Sequence, residues 1–355
     1  MRVFERLKPD IKFEKETHKV SMLSPLKGFK LQRQTVERRK DTLLDRWCRI
    51  NVERARRPKD RVGDDLLLQL VEASRKGCYF CPDKIGTSTP LFPRSLIPEG
   101  RLKFGQATVF PNLFPFAQHH AVVVLTEEHF MPLDGFKDSI IACGLEASIR
   151  YLKAVKAKRP KLRYCSVNWN HMPGAAASIL HPHFQVVVDE TPTRHVNEVI
   201  EASGEYRLKV GRSYWDDLVE VERGLGERFI AEIGSSSWLA SFCPFGNNDV
   251  MGIPFGSVHL LDLDEGLVGD LARGISAILS GYHEMGVQSF NLALFSGPFD
   301  AEVAPFPAHV RMISRPNVRH MYTADAGFME RLHEEVVVET SPEDTAASLR
   351  SLVHS

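Results

Sequence analysis

His181-Pro182-His183-Phe184-Gln185 follows the small-residue run Gly174-Ala175-Ala176-Ala177-Ser178 and leads into Val186-Val187-Val188. Two imidazoles flank a proline, and a glutamine stands two places beyond the second. Small residues let backbone approach a ligand closely. A strand over Phe184–Val188 then holds the imidazoles in place. A neutral ring nitrogen is nucleophilic near pH 7 and is also a good leaving group, so the pattern suits a histidine that attacks phosphorus. The competing reading makes His183 a second structural metal ligand beside His181. The intervening proline makes it awkward for both rings to bind one ion, and Gln185 favours phosphate chemistry.

Working outward, the same plan is written twice. In the first copy, strands are expected at Ala107–Phe110 and His120–Leu125. A helix is expected over Lys137–Ala157, where Ile140, Ile141, Leu145, Ile149 and Leu152 recur at helical spacing, followed by strands at Tyr164–Asn168 and Phe184–Val188. In the second copy, strands are expected at Trp238–Phe242 and Ser257–Leu261. A helix is marked by Leu271, Ile275, Ile278, Leu279 and Tyr282, and closing strands by Phe290–Phe295 and Val310–Ile313. This predicts an α+β fold of two tandem units, mostly antiparallel sheets with a helix packed on each. The expected divisions are an N-terminal arm over 1–50, a catalytic unit over 51–195 and a degenerate second unit over 196–355. The junction falls in the polar stretch Thr191–Arg223, and the arm is expected to wrap the first unit. His309 falls opposite His183 and Arg311 opposite Gln185, so one working site is expected.

The 355 residues suffice for two ordinary domains. Lys and Arg number 45 and so do Asp and Glu, so no global charge argues for nucleic acid or an anionic membrane, and any anion site must be built locally. The start Met1-Arg2-Val3-Phe4-Glu5 lacks the apolar core of a signal peptide, and no apolar run is long enough to span a bilayer. The six cysteines lack disulfide-framework spacing and read as cytosolic thiols or metal ligands, which gives a cytoplasmic expectation.

Cys78-Tyr79-Phe80-Cys81 is a Cys-x-x-Cys pair, which by itself fits a redox motif as well as zinc. With His129 and His181 it would make a closed Cys2His2 structural zinc site, and a tethered His181 would fix the position of His183. His129 also reads as a solvated loop histidine. His119-His120 is a rival source of ligands, though a buried, hydrogen-bonded histidine suits its place at the start of an apolar strand. Arg54, Arg56 and Arg57 read equally as a solvated basic run. Nothing is assigned to His259, His283 or His333.

Taken together, the His-Pro-His-x-Gln motif, the Cys-x-x-Cys pair and the twofold plan resemble the galactose-1-phosphate uridylyltransferase-like family of the histidine-triad superfamily, from about Arg54 to Leu349. The resemblance implies that Cys78, Cys81, His129 and His181 hold one structural zinc and that His183 is the nucleophile. It places Gln185, Ser178 and Asn170 at the phosphates and Arg54 and Arg57 at the diphosphate. Asn112, in Val109–Pro115, falls in the segment that holds base and ribose. The implied reaction is ping-pong. The imidazole takes a nucleoside monophosphate from a nucleotide sugar, and a sugar 1-phosphate, or in an adenylyl variant inorganic phosphate, then accepts it. A homodimer is also implied.

The chain departs from the family pattern in its second half. Arg311 stands where some members carry one histidine of a second metal site, so a second metal is not expected. Gly327-Phe328-Met329-Glu330 has phenylalanine where a tyrosine contacts substrate, which puts galactose in doubt. Three readings therefore stand: uridylyl transfer, adenylyl transfer or phosphorolysis of an ADP-sugar or dinucleoside polyphosphate, and a non-catalytic nucleotide-sugar binder.

Overall fold

The computed structural model describes residues 8–57, 64–256, 259–299, 306–320 and 324–353. The N-terminal strands are β1 (Lys15–Ser24), β2 (Lys30–Lys40) and β3 (Trp47–Ile50). Helices α1 (Asp64–Arg75) and α2 (Pro82–Ser88) follow, then β4 (Leu102–Phe104), β5 (Ala107–Pro111), β6 (His119–Val124), α3 (Asp138–Lys158), β7 (Tyr164–His171) and β8 (His183–Asp189). Helices α4 (Arg194–Val210) and α5 (Tyr214–Leu225) occupy the polar stretch. Beyond them lie β9 (Phe229–Ile233), β10 (Ser236–Ala240), β11 (Asn247–Pro254), α6 (Glu265–Glu284), β12 (Ser289–Phe295) and β13 (His309–Arg315). The chain closes with α7 (Phe328–Leu332), β14 (Val336–Val338) and α8 (Pro342–Val353).

One ten-stranded antiparallel sheet runs β4-β5-β6-β8-β7-β12-β13-β11-β10-β9. Read from its two ends, each half has the same order, and the halves meet where β7 pairs with β12. The expected α+β plan is therefore present, with the two sheets fused edge to edge. Alternation along the strands assigns the faces. Phe184, Val186 and Val188 of β8 and Val167 and Trp169 of β7 point into the core shared with α3 and α6. Residues 183, 185, 168 and 170 therefore occupy the opposite face. Gly144 lets α3 lie close to the sheet, because a Cβ there would sit 2.4 Å from Leu125 and 2.8 Å from the Phe184 ring. Trp169 is fully buried, and its truncation to alanine would cost about 3–5 kcal/mol.

Two expectations need correction. Among the described residues, the N-terminal arm packs on the second half and does not wrap the first. β1, β2 and β3 form a four-stranded sheet with β14, and β3 pairs in parallel with β14. Cys48 and Ile50 pack with Phe242, Cys243 and Val338 of the second half. Arg39 binds Glu343, which also binds Arg228. These partners lie some 200 to 300 positions away in sequence, so no local pattern marks them. The strand expected at Ser257–Leu261 lies earlier, as β11. Residues 260–262 form one 3-10 turn, and positions 257 and 258 fall outside the described residues. Gly252 and Pro254 make β11 read as broken. The glycine is instead a packing choice, since a Cβ there would sit 2.5 Å from the buried Trp238 ring.

Candidate active site and metal centre

The Cys-x-x-Cys loop and the His-Pro-His segment converge beneath the N-terminal half of the sheet. The ligand atoms of Cys78, Cys81, His129 and His181 lie within 4.8 Å of one another, and all four residues are buried. His181 Nδ1 lies 3.7 Å from both Cys78 Sγ and Cys81 Sγ, and His129 Nδ1 lies 3.5 Å from Cys81 Sγ. A tetrahedral zinc with ordinary bond lengths sets S···N edges of about 3.5 Å, so the cage has the right size. The outer partners agree. His181 Nε2 donates to Thr126 O over 2.8 Å, which leaves Nδ1 as the lone-pair nitrogen. Ser74 Oγ donates to Val71 O and so accepts from His129 Nε2 at 2.9 Å, which leaves that Nδ1 free as well. Burial and the neighbouring Cys78 push the Cys81 thiol up to about 11, so its thiolate needs a cation to persist at neutral pH. Burial takes His181 down to about 4 and keeps it neutral. The four residues are compatible with zinc.

The candidate metal cage and His183 are joined through one residue of backbone and a hydrogen bond. His183 Nδ1 donates to the carbonyl of His181 over 2.8 Å, so its Nε2 carries the lone pair. Phe80, between the two cysteines, meets the His183 ring edge-on at 5.2 Å and the Phe110 ring at 5.4 Å. Burial pushes the His183 ring below its usual titration range, against the smaller opposing effect of the His181 carbonyl, so the ring is neutral at pH 7.

Gln185 lies two residues along β8 on the same face. Its Oε1 lies 2.9 Å from His120 Nε2. The amide oxygen only accepts, so His120 is the Nε2–H tautomer and the Gln185 amide nitrogen remains available as a donor. His120 Nδ1 is buried without a partner among the described residues. Asn112 Oδ1 accepts from Phe114 N, and its Nδ2 lies 3.2 Å from His120 Nε2 without bonding to it, because Nε2–H has no lone pair to offer. A cleft of about 290 Å³ opens beside this network, lined by Asn112, His119, His120, Tyr151, Lys158 and Arg159 among others. His120 is thus the buried, hydrogen-bonded histidine its strand position suggests, and no local sequence pattern marks its support of Gln185.

Asn170 lies on β7, with its Oδ1 bonded to Asn291 of β12 at 2.7 Å. Between β7 and β8 the backbone runs through Met172 and Ala176 at φ of 71° and 64°, conformations that non-glycine residues seldom adopt. Gly174 is required there, because a Cβ would lie 1.9 Å from Pro316 O. Ser178 is exposed on this loop. Arg54 and Arg57 are not joined to His183 by any hydrogen bond or ion pair among the described residues. Arg57 instead pairs with Glu339 at 3.1 Å.

The second half repeats the backbone of the site and fills it. His309 Nδ1 donates to Pro307 O over 3.0 Å, the counterpart of the His183 bond. Trp215 of α5 covers that ring at 4.3 Å. Arg311, in the place of Gln185, is held by Asp249 through Nε and Nη2 and lies over Phe245. Glu330 caps α7 through Gly327 N and also accepts from Val337 N.

No protein-family model matches the chain. The solved ADP-glucose phosphorylase from Arabidopsis thaliana with bound ADP-glucose superposes with a TM-score of 0.69 at 18% identity, covering 89% of this chain and 98% of that one. A GalT-like protein from A. thaliana gives 0.69 at 18% identity, covering 90% and 99%. A uridylyltransferase gives 0.63 at 19% identity, covering 70% and 85%. The protein shares the fold of these ADP-glucose phosphorylase, GalT-like and uridylyltransferase structures. Within that fold it belongs to one family with an uncharacterized protein from Archaeoglobus fulgidus, to which it is 30% identical over 343 residues, 96% of this chain and 99% of the relative.

Proposed function

We propose that this protein is a nucleotidyltransferase working through a covalent nucleotidyl-His183. The observation that carries the reading is the His183 Nδ1 bond to His181 O, which leaves a neutral, preset Nε2 beside the free amide of Gln185. Nε2 attacks the α-phosphorus of a nucleotide sugar. A P–N bond forms, the P–O bond to the β-phosphate breaks, and sugar 1-phosphate leaves with that electron pair. An oxygen of a second sugar 1-phosphate, or of inorganic phosphate, then attacks the phosphorus and returns the ring neutral. Gln185, Asn170 and Ser178 donate to the phosphoryl oxygens as charge spreads over them. Asn112 and the cleft beside it take the nucleoside. Arg54 and Arg57 neutralise the diphosphate, which requires Arg57 to exchange Glu339 for ligand.

Cys78, Cys81, His129 and His181 would hold zinc, which when bound supplies a rigid anchor for the His-Pro-His turn. The protein pairs as a homodimer in the cytoplasm in this reading. UDP-hexose with hexose 1-phosphate is the first substrate pair. The likeness to an ADP-glucose phosphorylase along nearly the whole chain favours a second reading, adenylyl transfer from an ADP-sugar to phosphate.

The experiment is parallel incubation with α-³²P-labelled UDP-glucose and ADP-glucose, followed by acid and base treatment of the isolated protein. An acid-labile, base-stable label from one nucleotide is expected, and its base decides between the readings. Binding of both nucleotides with no label would leave only the non-catalytic binder.

A further inference from the structure

We infer that Asn291, contributed by the C-terminal half of the sheet, is a positioning residue that fixes which end of the Asn170 amide faces the phosphoryl group. This rests on the nucleotidyl-transfer reading of the preceding section. An asparagine side chain is nearly symmetric in shape, but only its nitrogen donates. At a phosphate, one orientation is useful and the other places oxygen against oxygen. Packing alone does not choose between them.

The hydrogen bonds around Asn291 do choose. Arg315 Nη1 donates to Asn291 Oδ1 at 2.5 Å. A guanidinium has no acceptor, so the atom it meets must be the amide oxygen. Arg315 is itself held by Asp325 through Nε and Nη2. Asn291 Nδ2 donates to Ala175 O at 3.0 Å, and a carbonyl cannot donate, so that assignment is fixed from the other side too. The remaining hydrogen of Asn291 Nδ2 goes to Asn170 Oδ1 at 2.7 Å. Asn170 therefore has its oxygen tied down and its Nδ2 turned outward, with no protein acceptor among the described residues. The chain Arg315–Asn291–Asn170 runs one way because its source, a guanidinium, can only donate.

Placement supports the role. Asn170 and Asn291 are direct partners across the β7–β12 seam, and the bond to Ala175 braces the same loop that carries Ser178. Across the site, His120 orients Gln185 in the same manner. The C-terminal half, whose own histidine is covered by Trp215, thus still serves the site of the first half.

The test compares Asn291→Asp with Asn291→Ala in single-turnover labelling of His183. Aspartate keeps the shape and still accepts from Arg315, but it can only accept from Asn170. The Asn170 amide then turns over and its oxygen faces the phosphate. The isosteric Asp variant is expected to lose about 10²-fold in the labelling rate constant, the scale of one oxyanion donor. The Ala variant should lose less, and Asn170→Ala should abolish the difference between the two. A residue that merely supports the fold would show the reverse order, Ala worse than Asp, with or without Asn170, and that result overturns the inference. If the wild-type protein takes no label, the transfer reading fails by itself. Calorimetry with UMP and AMP then decides the inference: about tenfold weaker binding to the Asp variant supports it, and unchanged affinity ends it.

Discussion

The Nδ1 of His183 donates to the carbonyl of His181 over 2.8 Å, while His181 Nδ1 points into a cage with two cysteine sulfurs. A single residue of backbone thus separates a candidate metal ligand from the imidazole that would attack phosphorus. Replacing His183 with glycine should abolish labelling, because the covalent route is lost. The variant should keep its metal and its melting temperature to within a few degrees. His309, covered by Trp215, should carry no label, so peptide mapping should find a single modified histidine per chain.

The metal cage should hold one zinc per chain, measured by mass spectrometry of the purified protein. Cys81→Ser or prolonged chelation should lower thermal stability, and labelling should fall in the same proportion, because the His-Pro-His turn loses its anchor. Full labelling by a metal-free protein would separate the two centres.

Gln185→Ala should reduce the labelling rate constant by about 10²–10³-fold, as for one lost oxyanion donor. His120→Leu should give a smaller loss with the same sign, since Gln185 survives but is free to turn. An unchanged rate constant in the His120 variant would show that the 2.9 Å bond has no part in the chemistry.

Stability should fall on mild acidification. Burial takes His171 and His309 down to about 3 from the ordinary 6.5. The unfolded chain binds these protons below about pH 6.5 and the folded chain does not. The stability they contribute is therefore complete above that value and declines as pH drops towards 3, by about 1.4 kcal/mol per pH unit for each ring. Denaturant titrations between pH 7.5 and 5 should show this slope, and His171→Phe should reduce it.

Glu343 ties the N-terminal arm to the body through Arg39 and Arg228. Burial opposes its charge, yet the two guanidiniums bring the carboxyl down to about 2. Its contribution is thus present above about 4.5 and fades only as pH falls towards 2. Glu343→Ala leaves Arg39 with Glu37 and Arg228 with Glu222 and Glu227, and should cost about 1–3 kcal/mol in chemical denaturation at pH 7, the scale of lost hydrogen bonds between charged groups. A cost well below about 1 kcal/mol would mean that the arm is held by its other contacts, such as Arg49 with Glu335 and Arg46 with Cys243 O.

Much of this protein is legible in local sequence because strands and helices impose periods. The alternation His183, Gln185, Val187 against Phe184, Val186, Val188 fixes which residues face the core and which the site. The His-Pro-His turn and the Cys-x-x-Cys pair likewise announce themselves through residue type and spacing. Nothing local reveals that β7 pairs with β12, that the arm packs on the second half, or that His120 braces Gln185. Those contacts are made between segments far apart in the chain, and they depend on which strand edges meet. Asn291 reads as an ordinary strand asparagine until β12 sets it against Asn170. Side-chain chemistry is a property of the residue, whereas the direction in which an amide faces is decided by neighbours that only folding brings together.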